Sequence, residues 1–214
     1  MKKTALGALL WLFCLQYFLA EAIAIAGWRG VYSLSQNYIS DLGAVHCDAS
    51  GGFGAICSPL HGLMNASFEL QGLLILGGAM LTAPLFPRGK LFLIALALIG
   101  ASGFGVFFVG FAPEDYWPGL HYLAAAENLV CDNAGMAVLG AAMVVRSAPT
   151  RLPGALAFSA GALGLLGVIL LGRGVYFGLG VGVIERIAAY PFPLAIAAVG
   201  ALLYLRGGLV RATL

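Results

Sequence analysis

Six apolar runs separated by short polar segments set the rhythm of this chain: 4–26, 59–82, 91–112, 119–144, 154–171 and 187–205. Crossing about 30 Å of hydrocarbon takes roughly 20 helical residues, and each run is near that length. None alternates apolar and polar positions as a barrel strand does, and backbone groups cannot go unpaired in lipid. The predicted form is therefore all-α: a polytopic membrane helix bundle with six transmembrane helices, one domain over 1–214. The longest connection, 27–58, is unusually polar, with Tyr32, Ser33, Ser35, Gln36, Asn37, Tyr38, Ser40 and Asp41 crowding its first half. A connection of that length in a small protein carries a function or packs as a lid. Gly100, Gly103 and Gly105 in the third run, and Gly161, Gly164 and Gly167 in the fifth, predict close helix–helix approach.

Composition agrees. The chain is 61% hydrophobic and 9% charged, with mean hydropathy +0.97, outside the soluble globular range. The few charges are sorted. Lys2, Lys3, Arg88, Lys90, Arg146, Arg151, Arg206 and Arg211 flank alternate ends of the runs. Arg29, Arg173 and Arg186 fall at the opposite ends, with Asp41, Asp48, Glu114, Asp115 and Glu185. By the positive-inside rule both termini are cytoplasmic and the 27–58 loop is external. The start of the chain also has the form of a secretory signal, with cleavage options around Ala20-Glu21-Ala22 and Ala22-Ile23-Ala24. Its apolar region exceeds a signal core, so an uncleaved first helix is expected. No clustered basic surface exists for nucleic acid, and none is expected as a partner. Cys47 and Cys57 bracket a Gly- and Ser-rich step of the external loop, where an oxidising exterior favours a disulfide. Cys14 and Cys131 fall inside runs and read as small apolar packing residues.

Candidate chemistry lies along helix faces. In the second run Cys57, His61, Asn65 and Glu69 follow i+4 steps; in the fourth, His121, Asn128 and Asp132 share a face with Glu127 and Cys131 beside it. In the first run Cys14, Tyr17 and Glu21 recur at helical spacing. From the helix rise, Glu69 and Asp132 lie roughly 15 and 20 Å below the outer ends of their helices. Carboxyls at such depth are costly and face the bundle interior, where they protonate, pair or bind a cation. A register-fixing hydrogen-bond network is the structural alternative. His61 and His121 also occupy matching places in a weak internal repeat, Leu60-His61-Gly62-Leu63-Met64-Asn65-Ala66 against Leu120-His121-Tyr122-Leu123-Ala124-Ala125-Ala126.

These positions give three sets of expectations. His121 is a candidate general acid or base, with Asp132, Glu127 and Asp41 as catalytic carboxyls. His61, Asn65, Glu69, Asn128, Ser40, Glu21 and Arg186 are candidate ligand-binding groups, Arg186 also being placed to pair with the buried acids or with Asp41. His46, His61 and His121 are candidate ligands for a divalent metal such as zinc, although no HxxxH or HExxH spacing is present.

Asn37-Tyr38-Ile39-Ser40-Asp41-Leu42-Gly43, Gly119-Leu120-His121-Tyr122-Leu123 and Ile184-Glu185-Arg186-Ile187-Ala188-Ala189-Tyr190-Pro191 together resemble the prokaryotic integral membrane family known as domain of unknown function 998. The resemblance covers essentially the whole chain. It implies a small multi-spanning inner-membrane protein and no particular activity. The functional expectation rests on the residues: a polar pocket open to the extracytoplasmic leaflet, binding a lipid head group or small polar ligand. A metal- or His-assisted hydrolase or transferase acting on a lipid-linked substrate, a proton- or cation-coupled carrier, and a scaffold for another membrane protein are the alternatives.

Overall fold

The computed structural model describes residues 2–47, 56–146 and 148–205. Asp48, Arg206 and Arg211, which the charge pattern assigns to sides, lie outside the described residues. The helices are α1 (Lys3–Phe13), α2 (Gln16–Ala26), α3 (His61–Thr82), α4 (Lys90–Phe111), α5 (Pro118–Arg146), α6 (Ala148–Gly172), α7 (Val181–Ala189) and α8 (Pro191–Leu205). Taken as continuous segments they make six spans long and apolar enough to cross a membrane, α1 with α2 and α7 with α8 each forming one. Among the described residues there is no β-strand.

Two spans are broken, each for a local reason. Between α1 and α2 the bonding pattern tightens to i→i−3: Cys14 N–H bonds Trp11 O and Tyr17 N–H bonds Cys14 O. α7 ends at Ala189, and the first turn of α8 carries Pro191 and Pro193, which have no N–H to donate back across the junction. Asn133 Nδ2 on α5 reaches this break and donates to Ala188 O at 2.8 Å, the kind of side-chain support that backbone needs inside a membrane. The last span begins at Val181, not at 187 as the apolar pattern suggests, so Glu185 and Arg186 sit inside the helix rather than at its mouth. The fifth likewise begins at Ala148 and carries Pro153 within it.

Glycines set the helix spacing where backbones touch. A Cβ on Gly72 would lie 2.3 Å from Gly103 O, and one on Gly103 2.8 Å from Gly72 O, so α3 and α4 are in backbone contact there. Gly140 and Gly154 do the same for α5 and α6. Gly161 and Gly167 press on α5 and α7 backbone, whereas Gly100 has ordinary room. Trp11, Ile99, Met136, Leu139 and Ile196 fill the core toward the end that carries Lys3, Lys90 and Arg146. Trp11 Nε1–H donates to Ile75 O at 3.2 Å, which satisfies the only polar atom of that side chain.

Candidate functional site

At the opposite end the first part of the long connection, through residue 43, folds back over the bundle. The Asn37–Gly43 segment builds its own scaffold. Asn37 Oδ1 accepts from Ser33 N–H at 3.0 Å, and Asp41 Oδ2 accepts from Asn37 Nδ2 at 2.9 Å and Tyr38 N–H at 3.0 Å. A short 3₁₀ turn, Ser40–Gly43, follows. Asn65 Nδ2 donates to Gly43 O at 2.9 Å and Ser58 Oγ to Leu42 O at 2.7 Å, fastening this turn to the top of α3. Cys47 and Cys57 are joined by a disulfide, as their location predicts.

Arg186 anchors the first half of the loop. Its Nη2 meets Glu21 Oε1 at 3.1 Å and Tyr32 Oη at 2.7 Å; its Nε meets Tyr190 Oη at 3.0 Å. Nη1 donates to the carbonyls of Leu34, Asn37 and Gly182 at 3.0 to 3.1 Å. Tyr190 Oη–H closes the network on Glu21 Oε1 at 2.6 Å. Glu21 and Arg186 are 3% and 8% exposed, so this is a buried ion pair tying α2, the loop and α7 together. Its partner is Glu21, not Asp41, and every guanidinium N–H group is engaged within the protein.

Beside this anchor lies a cavity of about 160 Å³, central to the bundle. Tyr38, Ser40, His121, Tyr122 and Glu185 line its loop end; Gln71, Asn128 and Asp132 line its deeper part, among Tyr17, Phe68, Ile75, Phe192 and Pro193. Glu185 Oε2 accepts from Ile39 N–H at 2.5 Å, His121 Nδ1 lies 2.8 Å from Ala112 O, and Asn128 Nδ2 donates to Ser102 O at 3.1 Å. Asp132 is 3% exposed, and its Oδ1 has no hydrogen-bond partner among the described residues. Such an atom loses its hydration on burial with nothing in exchange.

Four of the sequence-predicted residues, Ser40, His121, Asn128 and Asp132, therefore meet around one cavity. The others do not. Asp41 stands behind Ser40 as the loop's internal acceptor. His61 Nδ1 is 2.8 Å from Ser58 O, and with Asn65 it supports the loop from beneath. Glu69 packs along Gly110 of α4, and Glu127 packs against Gly105, both in helix–helix contacts outside the cavity. The histidines do not assemble into a metal centre. His46 pairs with Asp115 at 2.9 Å and stacks on Tyr116, while His61 and His121 hold separate backbone carbonyls. Among the described residues no three His, Cys, Asp or Glu side chains could hold a metal ion.

Three contributors carry no signal in the linear pattern. Gln71 reads as one amide in an apolar run, yet it lines the cavity and accepts from Gln16 Nε2 at 3.2 Å. Glu185 reads as a headgroup-level charge. Glu114, in the short link before α5, folds over the loop and hydrogen-bonds with Ser40 and Asp41. Burial pushes the Glu114 carboxyl up to about 8, with the neighbouring Asp41 and Glu185 adding to the rise against the opposing Ser40 bond. At the neighbouring Asp115, burial alone would raise the carboxyl, but the N–H groups of His46 and Val45 and the His46 ring hold it below its ordinary value.

The helices and their apolar faces define a multi-pass membrane protein, built as a six-span bundle with a largely apolar cavity that Asp132 and Glu185 line. The chain belongs to the family described as Protein of unknown function (DUF998), whose model matches residues 5–202. No curated protein and no solved structure matches it.

Proposed function

We propose that this protein binds a small polar ligand, or the head group of a lipid, in the cavity beneath the 27–58 loop, entering from the extracytoplasmic face of a prokaryotic inner membrane. The observation that carries this reading is Asp132. Glu127 Oε2 and Asn133 Oδ1 are likewise unpartnered among the described residues, but of the three only Asp132 borders this cavity, where a ligand's donor would restore the hydrogen bond that burial removed. The loop supports it too, because its internal scaffold holds Ser40 and Tyr38 at the cavity's edge rather than out in solvent. Arg88, Lys90, Arg146 and Arg151, at the two helix junctions without acids, support that orientation.

The test is ligand-dependent melting of the purified protein in detergent across membrane lipids and small polar metabolites. At least one compound is expected to raise the midpoint of the wild type and to lose that effect in Asp132→Asn, a change that keeps the side chain's shape. A wild type indifferent to every compound, or an equal rise in Asp132→Asn, would sink the reading.

A further inference from the structure

The cavity also states what charge its ligand should carry. Among the described residues its two acidic side chains are Asp132 at the deep end and Glu185 at the loop end, and no Lys or Arg lines it. Its one basic side chain among them is the His121 imidazole, whose Nδ1 is held on Ala112 O. The nearest arginine, Arg186, has its donors committed to Glu21, two tyrosines and three backbone carbonyls. A phosphate or carboxylate placed here would face two carboxyls, with no Lys or Arg among the described residues to offset them. Asp132 Oδ1 calls for a donor, and Asn128, Gln71 and Tyr17 nearby bring further oxygens.

The walls refine the choice. Tyr17, Phe68, Tyr122 and Phe192 present aromatic rings, and ring faces attract ammonium groups that have been stripped of water. Apolar walls also argue against a bare metal ion, which needs a shell of oxygens on all sides, and no three suitable ligand side chains meet among the described residues. A cavity near 150 Å³ accommodates a benzene-sized molecule, about six heavy atoms, so the volume of about 160 Å³ suits a short organic ion.

Building on the binding function proposed above, we infer that the ligand is a small organic ammonium, its charged nitrogen at Asp132 and its carbon body against the aromatic walls. The same group could arrive as a free amine or as the head of an ammonium-bearing lipid.

The experiment uses three probes of one size, n-butylammonium, n-butanol and butyrate, titrated into lipid-free protein in detergent and read by calorimetry and melting. Butylammonium should bind at least roughly tenfold more tightly than butanol, the scale of a hydrogen bond to a charged group, and butyrate should bind least. Asp132→Asn should bring butylammonium down to the level of butanol. If that variant fails to fold, Glu185→Gln is read the same way and should weaken butylammonium several-fold while leaving butanol unchanged. A second arm places the protein in nanodiscs of ethanolamine-headed or glycerol-headed phospholipid. Asp132-dependent retention of the ethanolamine lipid assigns the head-group source, and binding of the soluble amine alone assigns a free amine. Butanol binding as tightly as butylammonium overturns the charge assignment while leaving the pocket standing. So does butyrate binding best, or sodium chloride alone reproducing the melting shift. Indifference of the wild type to all three probes and to the wider panel removes both readings.

Discussion

Replacing Arg186 with methionine tests whether the loop is held by one buried ion pair. The change removes six contacts at 2.7 to 3.1 Å and leaves Glu21, 3% exposed, without its cation. Breaking one partner of a buried pair costs about 3–5 kcal/mol, chiefly because the remaining charge is stranded. For a chain of this size each kcal/mol moves the melting midpoint by about 2–4 °C, so Arg186→Met should melt roughly 6–20 °C lower. The stranded charge makes a sharper prediction. Adding Glu21→Gln to Arg186→Met removes it while keeping an acceptor for Tyr190 Oη–H. The double variant should therefore be more stable than Arg186→Met alone, with a coupling of about 2–3 kcal/mol. Arg186→Lys, a point charge that cannot reach Tyr190, Glu21 and three carbonyls together, should fall between the wild type and Arg186→Met. Midpoints are read from tryptophan fluorescence in detergent. Strictly additive single and double variants, or an unchanged Arg186→Met, would refute the argument that the pair carries the loop.

Two further outcomes follow from the loop itself. Glu114 has its folded value raised to about 8, so its contribution to stability is fully present below the ordinary glutamate value and disappears as pH rises through about 8. The wild-type stability should fall across that window, by on the order of a few kcal/mol at most, lowering the melting midpoint, and Glu114→Gln should flatten the slope; parallel profiles would exclude Glu114 as its source. Cutting the Cys47–Cys57 link, which closes a step of 10 residues, should cost about 3 kcal/mol by chain entropy. Reductant should lower the wild-type midpoint and leave Cys47→Ser unaffected, and a wild type insensitive to reductant would contradict it.

The spans were legible because apolar length is a demand of the bilayer itself. The start of the last span was not. Glu185-Arg186 interrupts the apolar run like a membrane-edge pair, but tertiary partners hold both charges inside the helix: Ile39 N–H for the acid, Glu21 and three carbonyls for the base. The same limit governs the site. Helical spacing groups His121, Asn128 and Asp132 on one face of α5, and that face does line the cavity. It also groups His61, Asn65 and Glu69 on α3, yet these meet the loop and α4, while Phe68, Gln71 and Ile75 turn to the cavity. Periodicity tells which residues share a face, and only packing tells what the face meets. Glu114 lay beyond reach for a further reason: nothing in a six-residue link reveals that it folds onto Ser40, far away in sequence.

The two broken spans bear on how the cavity could work. Breaks in membrane helices occur where transporters bind and release ions, and here both flank the cavity, through Tyr17 on α2 and Phe192 on α8. A carrier would use them as hinges and would need a second, polar way out. The break in the last span is instead fastened, by Asn133 to Ala188 O and by Arg186 to Glu21, across α5 and α2. Below Asp132 the path meets Trp11, Ile99, Met136, Leu139 and Ile196, each fully buried and apolar. Opening it would separate a buried ion pair and expose that packed layer together, and the two costs fall on the same motion. A cavity with a fastened break above a packed floor is suited to holding a ligand at one face of the membrane, which favours binding or chemistry there over passage across it.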